Sequence, residues 1–422
     1  MRKLRVLCLV MVLALIPASL LAFDLTQLRL NGFVSQGYMK TADNNWLATD
    51  SVDGTTQILE AGLTINVPVS DKLRVGMQFL SRDLGDEGNN DVRLDWAFGD
   101  YRFDDALGVR LGKVKMPIGL YNEGRDSDFL RNMAFLPQSV YDETRRNLLV
   151  ASQGGQVYGN ISLGAAGDLD YAAYGGQINF PDDSPTLQAF LGFAQMAENI
   201  MGVMSGGLYT PLQLTSISAD NEYVYGGRLM YNTAVDGLRL GVSGFEGKAD
   251  FPVSDGTAVK NMRVSLEQMY VGSLEYSTPY FTLAAEYIQF EQPAIYDGML
   301  LAPVLQGNAG DSGGYYTMLS IPVPGLENLI FNFLYDVYYR DLDDKDGSNQ
   351  AAMMALMGVP MPDYYFYRKD FGVGCRLDVN DNWMLKAEWH QLEGADLILP
   401  FFNNNMAVKD WDYYIVKTSF NF

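Results

Sequence analysis

The chain has 422 residues, 51 of them acidic and 30 basic, which gives a formal net charge of −21. This acidic balance argues against nucleic acid as a partner, because phosphate groups would be repelled. Glycine and tyrosine are abundant, with 42 and 26 residues, while helix-forming runs are scarce. The composition therefore favours a β architecture, which can extend over a long chain as one unit.

Residues 1–22 have the organisation of a secretory signal peptide. Basic residues at positions 2, 3 and 5 precede an apolar run that ends at Ala22, which predicts cleavage after Ala22 and export. The mature chain, 23–422, keeps 27 basic and 51 acidic residues, a formal charge of −24. Its single cysteine is Cys375, so no disulfide can form within one chain.

After the signal there is no uninterrupted apolar run of about 18 residues, so no membrane helix is predicted. A chain without such helices can span a bilayer as a closed barrel, in which every backbone group is paired. Segments with alternating apolar and polar residues recur along the whole mature chain, at about the length of a tilted membrane strand. The predicted strands lie near 28–40, 57–68, 72–80, 91–101, 107–116, 148–163, 168–180, 221–232, 238–246, 262–277, 280–290, 314–323, 326–340, 364–379, 383–392 and 410–422.

The breaks between these strands alternate between short turns and long loops. The long loops are predicted near 41–56, 82–90, 117–147, 181–220, 247–261, 291–313, 341–363 and 393–409. An even number of antiparallel strands with this alternation is typical of a bacterial outer-membrane barrel, with the short turns at the periplasmic rim. The alternative, a soluble β-sandwich, would have to accommodate far more alternating segments than two sheets can hold.

The two faces of individual strands agree with a barrel. In strand 13, Phe331, Phe333 and Tyr335 alternate with Asn332 and Asp336. In strand 4, an apolar series alternates with basic and acidic residues; the apolar members are Val92, Leu94, Trp96 and Phe98, and the charged members are Arg93 and Asp95. We expect the apolar faces to contact lipid and the polar faces to line the lumen.

The segment Asp410–Phe422 alternates up to a terminal phenylalanine. It resembles the closing strand of Gram-negative outer-membrane barrels. That resemblance implies a location in the cell outer membrane and recognition by the barrel assembly machinery, with Tyr414, Phe420 and Phe422 as the assembly signal. The lipid bilayer and lipopolysaccharide would then surround the chain.

The sequence GKVKMPIG at 112–119 precedes a long polar segment. This stretch resembles strand 5 and the third loop of trimeric Gram-negative porins, nearest to the phosphate-selective type. The PEFGG-like sequence of general enterobacterial porins is absent from it. The resemblance implies a homotrimer and a third loop, 117–147, that folds into the lumen, whereas the alternative is a solvated surface loop. The candidate constriction residues are Lys113, Lys115, Glu123, Arg125, Asp126, Asp128, Arg131, Arg145 and Arg146.

Further charged residues fall on the predicted lumen faces of the strands. The candidate pore-wall residues are Arg74, Arg93, Arg110, Arg228, Arg239, Arg263, Arg368, Arg376, Lys386 and Glu388. Two interpretations are open: pairs of opposite charges along a wet wall, or a series of arginines that favours anions.

Loop 181–220 contains a predicted short amphipathic helix, with Ser184 as its N-cap and Pro185 at its first position. His390, the single histidine, is interpreted as a pore-wall residue, because no serine-containing nucleophile motif accompanies it. The sequence predicts no catalytic residue, no cofactor and no metal ligand.

The sequence therefore predicts an all-β protein, a 16-stranded antiparallel transmembrane barrel with an inward third loop, and a porin for small hydrophilic solutes. A weak preference for anions, dicarboxylates or phosphate is expected if the arginines of the constriction dominate. Two alternatives stay open: a structural or partner-sheathing barrel without open conductance, and a channel for amphipathic substrates.

Overall fold

The computed structural model describes residues 28–85, 88–180, 184–291, 293–300, 311–398, 403 and 406–422. Within them, sixteen long strands form one antiparallel sheet in which each strand pairs with its neighbours in sequence. The first and last strands also pair with each other, with Phe33 opposite Asn421 and Tyr38 opposite Val416. The sheet is therefore a closed barrel, as the sequence predicted. The predicted signal peptide lies outside the described residues.

The long strands are β1 (Arg29–Thr41), β2 (Ile58–Pro68), β3 (Leu73–Leu84), β4 (Val92–Arg102), β5 (Gly108–Lys115), β6 (Ala151–Ser162), β7 (Gly167–Gln177), β8 (Asp220–Thr233), β9 (Leu238–Ser254), β10 (Val259–Ser277), β11 (Thr282–Glu291), β12 (Ser312–Val323), β13 (Leu326–Tyr339), β14 (Tyr367–Asn380), β15 (Trp383–Glu393) and β16 (Asp410–Asn421). Three short strands, Ser216–Ile217, Ala294–Tyr296 and Met299–Leu300, extend the sheet in the loops. The helices are α1 (Gln138–Tyr141), α2 (Arg146–Leu149), α3 (Pro185–Met204) and α4 (Ser348–Leu356), and 3-10 turns lie at Asp128–Leu130, Gly164–Ala166 and Asp363–Phe366.

The two faces of β16 follow the predicted alternation. Tyr413 and Ile415 are buried inside the barrel, while Tyr414 and Val416 are 43% and 48% exposed on the outer face. Exposed apolar side chains of the same kind cover the outside of the other strands, which is the surface that a bilayer would contact. No helix among the described residues is long and apolar enough to cross a membrane.

The prediction for β4 was wrong for the residues that follow Asp95 in the sequence. The register between β3 and β4 places Gln78 opposite Trp96 but Phe79 opposite Leu94, so Asp95 is an extra residue in a β-bulge. The bulge shifts the alternation by one residue. The ring of Phe98 therefore lies on the inner face, 5.2 Å from the guanidinium carbon of Arg110, and Trp96 stacks on it from the same face.

The predicted loop 247–261 was also wrong. Strand β9 continues to Ser254 and β10 begins at Val259, so only a short turn joins them. The strands extend because Phe251, Val253 and Met262, each at most 1% exposed, belong to an apolar core that includes helix α3. Burial against a tertiary partner stabilises strand residues that lack strong local propensity.

Helix α3 spans 20 residues and is longer than the short helix expected from the sequence. Its N-cap is Ser184, whose Oγ accepts a hydrogen bond from the Leu187 N–H at 3.2 Å. One face of the helix is completely buried, with Leu187, Ala194 and Ile200 at 0% exposure. These residues join side chains of the third loop in one apolar core at the end of the barrel where the long loops lie.

Candidate functional site

The third loop, 117–147, follows directly on β5 and is bonded to many strands of the barrel. Strand β5 pairs with β6 up to Lys115, and the Met116 N–H donates to the Val150 carbonyl at 2.9 Å. The hydrogen-bond partners of the third loop lie on β2, β3, β8, β9 and β11, and also on β12 to β16. Strands around most of the barrel therefore contribute contacts to this one segment.

Asp128 is the centre of the largest group of these contacts, and it is 0% exposed. Its Oδ1 lies 3.0 Å from the terminal nitrogens of Arg131, Lys386 and Lys417. Its Oδ2 accepts a hydrogen bond from Ser419 Oγ at 2.6 Å. Burial acts to raise the pKa of Asp128, but the three cations outweigh it and hold the pKa well below its usual range.

Two more carboxylates extend this group. Glu60 accepts from Arg82 at 3.2 Å and from two cations next to Asp128, at 2.6 and 3.0 Å. Glu143 accepts from Arg82 at 2.6 Å and from Arg125 at 3.1 Å. Burial acts to raise the pKa of Glu143, but Arg82 and Arg125 lower it to about 2. We call these eight residues the Asp128 cluster: Glu60, Arg82, Arg125, Asp128, Arg131, Glu143, Lys386 and Lys417.

A second ionic contact fixes the beginning and end of the third loop to each other. Asp126 accepts hydrogen bonds from both Lys115 and Arg146. Arg146 also donates to Asp95 at 2.8 Å. Burial acts to raise the pKa of Asp126, but the charges of Lys115 and Arg146 hold it well below its usual range.

A third anchor contains no cation among the bonds described. Glu286 of β11, 3% exposed, accepts from Tyr316 at 2.7 Å, from Ser273 at 2.5 Å and from the Leu120 N–H at 2.9 Å. The Tyr141 hydroxyl donates to the same carboxylate. Four hydroxyl and amide donors therefore bind one buried carboxylate and hold both ends of the third loop against the wall.

The wall formed by β13 to β15 carries a further chain of buried charges. Arg368 donates to Asp336 at 3.1 Å and to Asp370 at 2.8 Å. His390 Nδ1 lies 2.9 Å from Asp370, and its Nε2 lies 3.3 Å from Glu388. Main-chain N–H groups of the third loop donate to Asp336 and to Glu388. His390 thus belongs to a structural network in the wall.

Several other charged side chains on β3 to β10 are more accessible. Arg74 binds Asp100 at 2.7 Å, and Arg239 binds Glu275 at 2.7 Å, with the arginine side chains 45% and 40% exposed. Glu123 of the third loop is 34% exposed and accepts from Arg228 at 2.6 Å. Arg74, Arg239 and Glu123 are therefore partly solvated, although Asp100 and Glu275 are only 8% and 15% exposed.

A polar space of about 360 Å³ lies beside the third loop. Its charged lining residues are Arg82, Asp91, Arg93, Asp95, Lys113 and Arg146. The Lys113 ammonium donates to the Leu94 carbonyl at 2.8 Å. Among the described residues it has no carboxylate within ion-pair distance. Strand β4 pairs with β5 only over residues 97–102. The first residues of β4, 92–96, therefore border this space without a hydrogen-bonded partner in β5.

The structure brings most of the sequence-predicted residues together, but not as a ring of exposed charges. Buried ion pairs hold Arg125, Asp126, Asp128, Arg131, Arg146, Arg368, Lys386 and Glu388. The partly exposed members are Arg74, Arg93, Arg110, Lys113, Lys115, Glu123, Arg145, Arg228, Arg239 and Arg376. Their roles as constriction or pore-wall residues stay predictions.

Two predicted groups lie away from the third loop. Arg263 pairs with Asp250 at 2.6 Å in the extended β9–β10 hairpin and is 44% exposed. The aromatic residues of the predicted assembly signal, Tyr414, Phe420 and Phe422, are 43%, 46% and 69% exposed on the outer face.

Sequence reasoning missed the anchor at Glu286 and the role of Tyr141. A glutamate in the middle of an apolar-faced strand was a signal that could have indicated a buried partner. The sequence could not identify that partner, because Tyr141 and Glu286 lie 145 residues apart.

A closed antiparallel barrel of sixteen strands is the fold that the chain shares with solved outer-membrane porins and channels. No protein-family model and no curated sequence matches the chain. Three solved structures that resemble it are OmpT of Vibrio cholerae (TM-score 0.54, 10% identity), OmpF of Salmonella typhi (0.53, 12%) and the outer membrane channel DcaP of Acinetobacter baumannii (0.52, 12%); each alignment covers 94% of this chain and 97% of the other. At such identities the likeness concerns the fold alone.

Proposed function

We propose that the chain is an outer-membrane channel of the porin type, through which small hydrophilic solutes diffuse, with the third loop inside the lumen. The apolar outer face supports a location in the membrane, since an aqueous protein would cover such side chains. Contacts between the third loop and strands around most of the barrel support its position in the lumen. The porin-like fold is consistent with this proposal.

The polar space beside the third loop is the observation that carries the proposal. Buried ion pairs join the loop to β2, β3, β4, β15 and β16. On the side of β3 to β6, polar side chains border about 360 Å³ of space that water can fill. We propose this space, between the third loop and β3 to β6, as the route for hydrated solutes.

The charges of this route favour a weak preference for anions. Arg125 and Arg131, expected from the sequence to set selectivity, are each 3% exposed or less and are paired with acids. Lys113 borders the route with a carbonyl as its bonded acceptor. In a confined space with low dielectric constant, one such ammonium attracts anions more strongly than charges at the outer mouth.

Ion-current recording in planar bilayers tests both parts of this proposal. We expect stepwise conductance and a reversal potential of anion-preferring sign in a KCl gradient. Lys113→Gln should shift the reversal potential toward cations. The matched control is Lys72→Gln, because the Lys72 ammonium also donates to a carbonyl, Phe103 O at 3.0 Å, but at a turn remote from the route.

The result that would overturn the channel proposal is a folded, inserted protein that gives no conductance steps. That result would favour the alternative barrel without open conductance, which the buried ion pairs across part of the lumen also support. Equal reversal potentials in the wild type and Lys113→Gln would overturn the proposed selectivity and leave the channel intact.

The proposal includes assembly by the barrel assembly machinery, contact with lipopolysaccharide and a homotrimer in the Gram-negative outer membrane. Replacing Phe420 and Phe422 with lysine should impair assembly, because both side chains face outward and charge facing lipid is unfavourable. Heat-modifiable trimers in normal amount from this variant would contradict the proposed assembly signal.

A further inference from the structure

An apolar cavity lies between the end of the third loop and the outer loops, apart from the polar route. Its volume is about 110 Å³. Side chains from the third loop, α3, β10, β13 and the loop after β15 line it, among them Leu148, Phe190, Met262, Val264 and Leu397. Covering these apolar side chains with an apolar group is favourable, while the charged and hydroxyl side chains of the lining form its polar part.

Arg145 is one of four charged residues that line the cavity, with Asp142, Arg340 and Asp396. The Arg145 side chain lines the cavity and is 27% exposed, although it lies among buried residues. Its guanidinium carbon lies 5.5 Å from the ring centres of both Phe290 and Tyr338. The two rings hold the guanidinium plane in place through cation–π contacts.

The guanidinium keeps donors that are not used within the described part of the chain. Arg145 Nε lies 3.2 Å from Asp142 Oδ2, and one Nη donates weakly to the Tyr338 hydroxyl at 3.3 Å. The second terminal nitrogen has no hydrogen-bond partner among the described residues. A guanidinium presents five N–H donors in a fork that fits a carboxylate.

The other charges at the cavity leave Arg145 as the group that can bind an anion. Arg340 makes a bidentate ion pair with Asp396, at 2.5 and 3.2 Å. Asp142 accepts from the N–H and hydroxyl of Thr144, each at 2.8 Å. Two bases and two acids border the cavity, so their formal charges cancel and do not by themselves favour an anion over a neutral molecule. Selectivity for an anion must therefore come from the unused donors of Arg145.

We propose that this cavity binds a small amphipathic monocarboxylate, with its carboxylate on Arg145 and a single ring or short acyl chain in the apolar space. A cavity of about 150 Å³ holds benzene, so this cavity of about 110 Å³ accepts a short acyl chain directly and must enlarge by side-chain movement to admit a single ring. The inference goes beyond diffusion of hydrophilic solutes, because it assigns a specific binding site to the outer side of the third loop.

Calorimetric titration of the purified full-length protein in maltoside micelles tests this site, with benzoate as probe and benzamide as its neutral analogue. We expect benzoate to bind at least tenfold more tightly than benzamide. Arg145→Gln, which removes the charge and the guanidinium but keeps a polar side chain, should weaken benzoate binding about tenfold to a hundredfold and remove the difference between the two probes.

Two further variants separate binding from folding. Ala189→Leu fills the cavity from α3 with a residue that favours a helix, and it should abolish binding of both probes while Arg145 is kept. Arg102→Gln removes an exposed arginine paired with Asp105 at a distant turn, and benzoate binding should be unchanged.

Equal affinity of the wild type for benzoate and benzamide would overturn the inference, as would full binding in Ala189→Leu. These outcomes are independent of the channel proposal. A protein that binds benzoate without conducting ions would support this site and contradict the channel proposal. A conducting protein that binds neither probe would support the channel proposal and contradict this site.

Discussion

Two sets of ion pairs inside the barrel use the same residue types in different surroundings. In the Asp128 cluster the charged side chains are at most 7% exposed, and each cation contacts Asp128 or Glu143 of the third loop. Elsewhere on the strands, Arg74 and Arg239 pair with single acids while their own side chains stay 45% and 40% exposed. Burial is therefore the main difference between the two sets.

This difference decides what each set of charges can do. A buried charge that loses its partner cannot be solvated, so breaking a buried pair costs several kcal/mol. A solvated pair contributes little to stability, because water replaces the lost partner. We therefore infer that the Asp128 cluster holds the third loop in position, while the accessible pairs influence the passage of solutes.

The largest effect is expected when the centre of the buried cluster is neutralised. Asp128→Asn keeps the shape of the side chain but leaves two lysines and an arginine with less negative charge. The free energy of unfolding should fall by about 3–5 kcal/mol. Urea titration of the refolded protein, followed by tryptophan fluorescence and by the heat-modifiable band shift, measures this change. A loss below about 1 kcal/mol would contradict the distinction between the two sets of ion pairs.

Acidification should weaken the same cluster without any substitution. The pKa of Glu143 is about 2 in the folded protein and 4.5 in its unperturbed state. Because the folded pKa is the lower one, Glu143 stabilises the protein above pH 4.5, and this stability is lost as the pH falls from 4.5 toward 2. The contribution is on the order of 3 kcal/mol.

Glu143→Gln provides the comparison for this prediction, because Asp126 and Asp128 titrate in the same direction and remain in the variant. Urea midpoints measured from pH 6 to pH 2.5 should fall more steeply for the wild type than for Glu143→Gln. Parallel curves would show that Glu143 does not couple protonation to folding.

A smaller effect is expected at the anchor without a cation. Glu286→Gln keeps one acceptor oxygen, and the hydroxyls of Tyr141 and Tyr316 can rotate to accept from the new amide. The expected loss is about 1–3 kcal/mol, typical of hydrogen bonds to a charged group. The same urea titration measures it. A loss as large as that of Asp128→Asn would mean that the hydroxyl anchor contributes as much as the ionic cluster.

The smallest effect on stability is expected in the more accessible set. Asp100→Asn neutralises the buried partner of Arg74, whose own side chain is 45% exposed, and keeps an acceptor oxygen for the Tyr158 hydroxyl, so the loss should stay at about 1 kcal/mol. Single-channel conductance is the informative measurement here, because an unpaired arginine in a wet lumen should raise the anion preference. A large loss of stability with unchanged selectivity would reverse the roles given to the two sets of ion pairs.

The sequence by itself determined the number and order of the strands. Alternation of apolar and polar residues is a local property, since successive side chains of a strand point to opposite faces. Phe333 and Asp336, for example, could be assigned to opposite faces of β13 from the sequence, and their exposures of 42% and 0% agree. The same logic failed where one extra residue, Asp95, reversed the alternation in β4.

Only the tertiary structure decided which charges meet. Lys417 and Glu60 lie 357 residues apart and come within 2.6 Å because the first and last strands close the barrel. No local pattern encodes that distance, or the choice of Arg125 and Arg131 to pair with Glu143 and Glu60 instead of lining an open constriction. Ion pairing depends on burial and on the position of every neighbouring charge, and the closed barrel sets both.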